Sequence, residues 1–456
     1  MNKMILPLLA LVLPLESSAQ VAIEGPLSLK QCVDYSIENN TSLQKDRLGV
    51  AAAAESRREI LGSLLPQVNA SGGMSYNIQK TTIAMPNFVN SMMPEPMRDP
   101  NAPKYMTVTM GMDLSANWGV ALSQQLLNFS LFNALKIAKE AENMSQTGVE
   151  ADTEDVIAKT ATLFYNVQIL RYSIDLFEEN ISVMDRMAHI MGANMENGMM
   201  RKVDADRIEV TRTNLETEKS SLLQALEVQK NLLKLEMGFP MTEDIELEPL
   251  DIDAVVASFN RGMLHDFVVE DQLPFKMIKH QQNMLEYQRK SAISETLPVF
   301  SFSGNYSQNY MGDHFYGETF HHFPVSMLSI NMRMPIFTGM SKNAKIKKAG
   351  LELEKSLRDE RMLVQSLTMG YDNALMQMER NKKTFDSQRR NKDLAHEVLQ
   401  VTESNYNEGL ATLSDFLNAS SSEIQAQMNY VTAVNNCIKA YIDLRKAAGT
   451  IEEITQ

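Results

Sequence analysis

Residues 107–122 read TVTMGMDLSANWGVAL, and their apolar side chains recur at every second position: Val108, Met110, Met112, Leu114, Ala116, Trp118, Val120 and Leu122. Thr107, Thr109, Gly111, Asp113, Ser115, Asn117, Gly119 and Ala121 lie between them. Successive side chains on a strand point to opposite faces, so the stretch has one apolar face and one small, wet face. It is far longer than the roughly five or six residues usual for a soluble strand. It exceeds the about 9–11 residues that a tilted strand needs to cross a bilayer. Alone, it fits a half-buried strand of a soluble sandwich as well as a membrane strand; the rest of the chain selects the second.

Upstream, Pro66 stops a helical region, and the period changes to two. Val68, Ala70, Gly72, Met74 and Tyr76 alternate with Gln67, Asn69, Ser71, Gly73, Ser75 and Asn77. Between the two strands, Pro86, Pro94, Pro96, Pro100 and Pro103 predict a long loop over residues 78–106, because proline donates no ladder hydrogen bond. The pair makes a hairpin with one long connection. The same plan returns after Leu297-Pro298, where Phe300, Phe302, Gly304 and Tyr306 alternate with Ser301, Ser303, Asn305 and Ser307. A loop over 311–324 carries His314, His321 and His322, and the fourth strand has Leu328, Ile330, Met332 and Met334 on one face.

The remainder is helical. Ser28-Leu29-Lys30-Gln31 starts a helical region that runs through Ala51–Ala54 to Leu65. Residues 130–197 contain no proline and carry a 4-3 spacing: Val156, Thr160, Leu163, Val167, Leu170, Ile174, Phe177, Ile181, Met184, Ala188, Met191 and Met195. That spacing is a coiled-coil seam. At about 1.5 Å per residue such a helix is roughly 100 Å long. Asn197-Gly198 ends it, and a second helix runs over 204–237 to Gly238-Phe239-Pro240. After an acidic, loop-like stretch at 241–262 and a helix leading to Leu297, residues 336–456 repeat the long pattern. Leu367, Tyr371, Ala374, Met378, Asn381 and Phe385, then Ala395, Leu399, Thr402 and Tyr406, keep the register, with a wetter middle at Gln388 and Lys392. Asn343-Ala344-Lys345-Ile346-Lys347-Lys348-Ala349 echoes residues 134–141, ALKIAKEA. The six-residue step from Gly198 to Asp204 returns from Gly409 to Asp415. The chain therefore reads as two copies of helix, hairpin, long helix, helix.

Lys3, the apolar run Ile5–Leu15 and Ser17-Ser18-Ala19 before Gln20 have the form of a secretory signal over 1–19. No run of 18 apolar residues follows, and mean hydropathy is −0.24. A spanning helix is excluded by that reading, whereas a β-barrel is not, since its strands are only half apolar. The net charge of −14 excludes nucleic acid as a partner. Cys32 and Cys437 sit on apolar helical faces, predicting two buried thiols rather than a disulfide. The 32 methionines read as flexible fillers of helix seams rather than copper ligands, and no cofactor or metal site is expected. GxSxG, HExxH, CxxC and phosphate loops are all missing from the sequence, so an enzyme is not expected.

The strands impose an assembly. Four strands do not close around a lumen, and open edges do not survive in lipid. Three protomers would supply twelve strands, an even number suited to an outer-membrane barrel. Tyr76, Trp118, Phe300, Phe302, Tyr306 and Tyr310 in the strands, with Phe129 and Phe337 at their periplasmic ends, suit the interfacial aromatic belts. The expected segments are a signal at 1–19, N-terminal periplasmic helices at 20–64, a first hairpin at 65–129 and a first helical pair at 130–240. An acidic linker with equatorial helices follows at 241–296, then a second hairpin at 297–337 and a second helical pair with the C-terminus at 338–456. The fold class is thus an α+β membrane protein whose barrel continues as a periplasmic helical coiled-coil barrel with a mixed equatorial region.

On the duplicated Leu-Pro strand entries at 65–66 and 297–298, on Ser28–Asn40 (SLKQCVDYSIENN), on the two glycine-to-aspartate turns and on the ending Leu444–Gly449, residues 25–450 resemble the TolC-type outer-membrane efflux proteins. The resemblance implies a trimeric exit duct of a tripartite efflux or type I secretion system. Its partners would be a periplasmic adaptor, an inner-membrane transporter and outer-membrane lipid. It also implies a gate where the helix–helix turns meet at the periplasmic tip, at Asp204, Tyr406, Asp415 and Asn418. Asp415 would form a threefold carboxylate ring attracting cations, less acidic than in relatives because Asn418 stands where they often carry a second aspartate. Ala411 replaces the family's tip arginine, which leaves Arg201 or Arg207 to pair with Asp204. The residues themselves also allow Asp204 and Asp415 to be plain N-caps, a compatible role. The rival reading is a periplasmic coiled-coil scaffold or adaptor without a pore, in which the four strands would form a compact soluble domain.

Overall fold

A computed structural model of the chain describes residues 25–196, 201–249, 251–252, 254–256, 259, 267–314 and 321–455. The proposed signal and the Asn197-Gly198 break lie outside them. Two compact units emerge, each assembled from separate stretches of chain. The first comprises residues up to Leu43, Thr153–Phe267 and Gly370 onward; the second comprises Gln44–Asp152 and Val268–Met369.

The second unit holds a four-stranded antiparallel sheet in the order β1-β4-β5-β6, where β1 is Gln67–Tyr76, β4 Leu114–Leu127, β5 Val299–Gly312 and β6 His321–Arg333. Facing residues in adjacent antiparallel strands share a side of the sheet. Val68 faces Leu122, which faces Gly304, which faces Leu328; Ala70, Val120 and Tyr306 line up in the same way. Trp118 and Tyr306 meet edge-on on this apolar side, with ring centroids 6.3 Å apart. The opposite side carries Asn69, Ser71, Ser75, Ser115, Asn117, Asn305 and Ser307, and the Ser75 and Ser115 hydroxyls bond at 2.7 Å. On that side the first half of β6 departs from the pattern with Phe323, Val325 and Met327. Gly119 is required by close packing, because a Cβ there would lie 2.8 Å from the Tyr306 carbonyl oxygen.

The uninterrupted strand expected at 107–122 is divided. Gly111 takes φ +102°, a conformation glycine adopts at little cost, and the chain turns before Asp113. Residues before the turn form β3 (Tyr105–Met110), which pairs with β2 (Thr81–Pro86) in a separate two-stranded sheet. The stretch expected to be loop thus contains a hairpin and a short helix, α3 (Phe88–Met92). Its prolines sit at the end of β2 and in the connection, where no ladder bond is lost. Lys80 reaches Asp113 at 3.2 Å and Asp313 at 3.0 Å, tying the first hairpin's connection to the second's. The Lys80 bond, and then a hydrogen bond from the Asp113 amide, hold the Asp313 carboxyl below its ordinary range. β6 starts at His321, so His321 and His322 are strand residues rather than loop residues.

The helices are α1 (Leu29–Asn39), α2 (Thr41–Gly62), α4 (Phe129–Glu196), α5 (Lys202–Met237), α6 (Leu273–Ser294), α7 (Ser341–Asn407) and α8 (Leu413–Ala448). Ser28 and Gln31 cap α1 reciprocally. The region expected to be continuous from Ser28 breaks at Asn40, whose carboxamide oxygen caps α2 through the Ser42 and Leu43 amides while its nitrogen donates to the Glu236 carbonyl at 2.6 Å. Every cluster of fully buried apolar side chains lies in the first unit. Among the described residues, the fully buried apolar side chains of the second unit are Leu114, Ala138, Leu273 and Ala292. Both cysteines are buried free thiols, and burial pushes Cys32 up to about 12 and Cys437 to about 11.

The seam positions of α4 are buried at Val156, Thr160, Val167, Ile174, Phe177, Met184 and Met191. Glu423 stands on the seam of α8, midway between Phe416 and Tyr430 in heptad spacing, with its side chain only 4% exposed. His396 Nδ1 of α7 meets it at 2.6 Å, and the Gln427 carboxamide donates to it at 3.3 Å. Gln427 in turn accepts from Asn180 of α4 at 2.7 Å. A polar chain therefore links three packed helices, running from the exposed His396 through the buried Glu423 and Gln427 to the buried Asn180.

Two outcomes are expected of thermal unfolding in detergent. Glu423→Ala, which leaves Gln427 buried with a lost partner, costs about 1–3 kcal/mol. Gly238→Ala costs at least about 1–2 kcal/mol, since Gly238 ends α5 at φ +71° and an added Cβ would meet the Asn39 carbonyl oxygen at 2.3 Å.

Candidate functional site

The candidate residues gather where α4 gives way to α5 and α7 to α8, all within the first unit. Both second helices begin in the same register. Arg201 is the N-cap of α5 and Thr412 that of α8, so Asp204 and Asp415 each stand three residues in rather than being the caps themselves. An acidic side chain in the first turn complements the amide groups that have no intrahelical partner there.

The two turns solve the cap differently. At Asp415 the capping is reciprocal: the Thr412 hydroxyl and amide donate to its carboxylate at 2.6 and 2.9 Å, and its own amide donates back to the hydroxyl at 3.2 Å. These bonds hold the Asp415 carboxyl below its ordinary range, the hydroxyl contributing most. Arginine has no acceptor, so the first turn lacks a side-chain cap. There Arg201 forks onto Asp204, with Nε and Nη2 at 3.0 and 3.3 Å from the two carboxylate oxygens. Of the two arginines considered for Asp204, the structure selects Arg201; Arg207 is exposed and makes no ion pair among the described residues.

Tyr406, on the last turn of α7, packs on Phe416 with ring centroids 6.1 Å apart. Burial raises the Tyr406 phenol above its ordinary value, and the Asp204 charge adds to the shift. Tyr406 and Asp204 are thus brought together across the two turns, whereas Asp415 and Asn418 are exposed on α8. Beneath this surface Met184, Met187, Met191, Ile208, Leu399 and Phe416 form a closed apolar cluster. Gly409 turns the chain after α7 with φ +75°.

Sequence reasoning missed two groups near the turns. Arg212 on α5 gathers Glu209, Glu216 and Asp185 within 3.4 Å. His396 finds the buried Glu423, a pairing that a carboxylate at a heptad seam position would have signalled. No cluster of side chains able to hold a metal ion occurs among the described residues.

No curated protein sequence matches the chain. Solved structures do. The chain superposes on CusC with a TM-score of 0.72 at 14% identity, over 92% of this chain and 91% of that one. For the open state of the MtrE outer membrane channel of Neisseria gonorrhoeae the TM-score is 0.71 at 18% identity, covering 94% and 90%. The outer membrane protein VceC of Vibrio cholerae gives 0.68 at 14% identity, covering 92% and 96%. These likenesses establish the fold. The sequence model of the outer membrane efflux proteins matches residues 33–235 and 272–450, most of the chain. The protein is a member of the outer membrane efflux protein family.

Proposed function

We propose that the protein is the outer-membrane exit duct of a tripartite efflux or type I secretion system. Three copies join β6 of one to β1 of the next and close a twelve-stranded barrel, with the helices continuing it into the periplasm. Transport is passive, and energy comes from an inner-membrane transporter reached through a periplasmic adaptor. The observation that carries this reading is the sheet: one side is mostly apolar, the other is mostly hydroxyl and carboxamide groups, and both edges are unpaired among the described residues. Such a sheet is satisfied when lipid covers one side, water the other, and a neighbouring copy each edge. The paired helix lengths, 68 and 67 residues for α4 and α7 and 36 each for α5 and α8, support an internal duplication. A scaffold without a pore would need a second layer over the apolar side, and among the described residues Val68, Met74, Leu328 and Ile330 on that side are exposed.

Within this reading the turns at the tip are the gate. Asp415, repeated by threefold symmetry, presents three carboxylates to the permeating ion, with Asn418 one turn further along α8. Asp204, neutralised by Arg201, adds little field and acts on Tyr406 instead. Single-channel recording in a planar bilayer tests the assignment. Small, cation-selective steps are expected, with selectivity lost in Asp415→Ala while Arg207→Ala leaves it unchanged. A soluble trimer that gives no conductance would contradict the duct.

The pH dependence follows from the cap. A carboxyl with a depressed pKa contributes its folded-state interactions above its ordinary value, about 3.9 for aspartate, and loses them as pH falls through the lower one. Cation selectivity should therefore hold from neutral pH down to about pH 4 and fall only below it. Thr412→Ala should move that loss toward higher pH, as read from reversal potentials.

A further inference from the structure

The echo between residues 134–141 and 343–349 is imperfect in one direction. Lys136, Ile137 and Lys139 match Lys345, Ile346 and Lys348, but Ala138 becomes Lys347 and Glu140 becomes Ala349. The second copy is more basic at this level than the first. In a chain of net charge −14, residues 319–351 hold Arg333 and four lysines and no carboxylate. Ala138 is buried, whereas Lys347 and Lys348 are exposed. Among the described residues Lys347 and Lys348 make no ion pair; Lys345 pairs with the Glu295 carboxylate and Lys342 donates to the Glu295 main-chain carbonyl. The matching Lys136 lies over the Tyr287 ring, 5.4 Å from its centroid.

Beside these cations, the link from β6 to α7 is apolar and uncovered. Ile336 is 96% exposed and Phe337 82%, with Met334 and Met340 also exposed. Gly339 and Met340 both adopt positive φ, 60° and 66°, which turns the chain sharply before α7 starts. Lys347 and Lys348 fall about two helical turns along α7, roughly 10 Å below the apolar link. The polar layer flanking a bilayer's hydrocarbon core is about 5–8 Å deep on each side. Flexible lysine stems place their ammonium groups anywhere within that layer.

We propose that Lys347 and Lys348, with Ile336 and Phe337, form a docking surface for anionic phospholipid headgroups in the periplasmic leaflet of the outer membrane. The inference rests on the barrel reading above, because it needs β6 to end at that leaflet. Apolar side chains enter the boundary of the hydrocarbon, and the unpaired cations meet phosphate and glycerol-phosphate charge beneath it. Zwitterionic lipid satisfies the apolar half alone. Glu295 and Glu352 line a groove with Ile137, Ala292, Lys345 and Lys348, and the Glu295 carboxylate is already paired with Lys345.

The test uses the full-length protein with Trp118→Phe and Phe337→Trp, which leaves a single tryptophan in the link. It is reconstituted into phosphatidylethanolamine vesicles containing dibrominated phosphatidylglycerol or dibrominated phosphatidylethanolamine at equal fraction. Quenching is expected to be stronger with the brominated phosphatidylglycerol, and the preference should fall about tenfold or more in Lys347→Gln/Lys348→Gln at low salt, each lysine near an anionic surface being worth about fivefold. Lys347→Gln alone is the second variant and should lower it by about fivefold. Equal quenching by the two lipids overturns the proposal, as does no quenching by either in protein that inserts and conducts. Loss of trimers in both variants assigns the face to a subunit contact and overturns it too. Protein that fails to insert at all overturns the barrel, and the lipid surface with it, a result distinct from insertion without preference.

Discussion

A sheet that is apolar across one side and open at both edges has no stable home in water and none in lipid as a single copy. Val68, Leu122, Leu328 and their neighbours present that side with no second layer among the described residues, and the backbone groups along the outer edges of β1 and β6 have no strand partner. Each unpaired backbone group costs several kcal/mol in hydrocarbon. Lipid on the apolar side and a further strand at each edge remove both costs together. The second unit has few buried side chains among the described residues, as the proposed barrel requires of a part that lipid and neighbouring copies would cover.

The first unit follows a different logic. Its buried cluster near the turns is built by four helices whose 4-3 spacing keeps one stripe facing inward, and methionine fills the seam there. Into that seam the chain inserts a carboxylate and two carboxamides that bond one another, with an exposed imidazole pairing the carboxylate from the rim. Buried polar groups of this kind fix register more than they add stability, since an apolar seam slides by a heptad at little cost. Register matters at the turns. A slip of one helix would carry Tyr406 away from Phe416 and Asp204, and the apolar cluster below them would open.

Period was the most legible property of this sequence. Alternation located all four strands of the main sheet, and the 4-3 spacing located both long helices, because each reflects which side chains must be hidden. What the period did not carry was interruption by local geometry. Alternation runs through Gly111 without a fault, yet that residue's positive φ divides the strand. The helical pattern runs through Asn40, where the break depends on a carbonyl of Glu236 nearly two hundred residues away. At the turns the two aspartates were legible by their spacing from glycine, and the Thr412–Asp415 capping pair could be read directly. The choice of Arg201 over Arg207 could not, because it depends on which arginine the first turn of α5 places beside the carboxylate.

The central claim is that neighbouring copies complete the sheet edges, and disulfide trapping in native membranes tests it most directly. Cys32 and Cys437 are buried, so cysteines introduced singly along β1 and in pairs with positions along β6 report contacts between copies. The account predicts that one antiparallel register of β1–β6 pairs yields cross-linked dimers and trimers, with no larger species. Absence of cross-links at every register, or an open ladder extending beyond trimers, would contradict closure of the barrel by three copies.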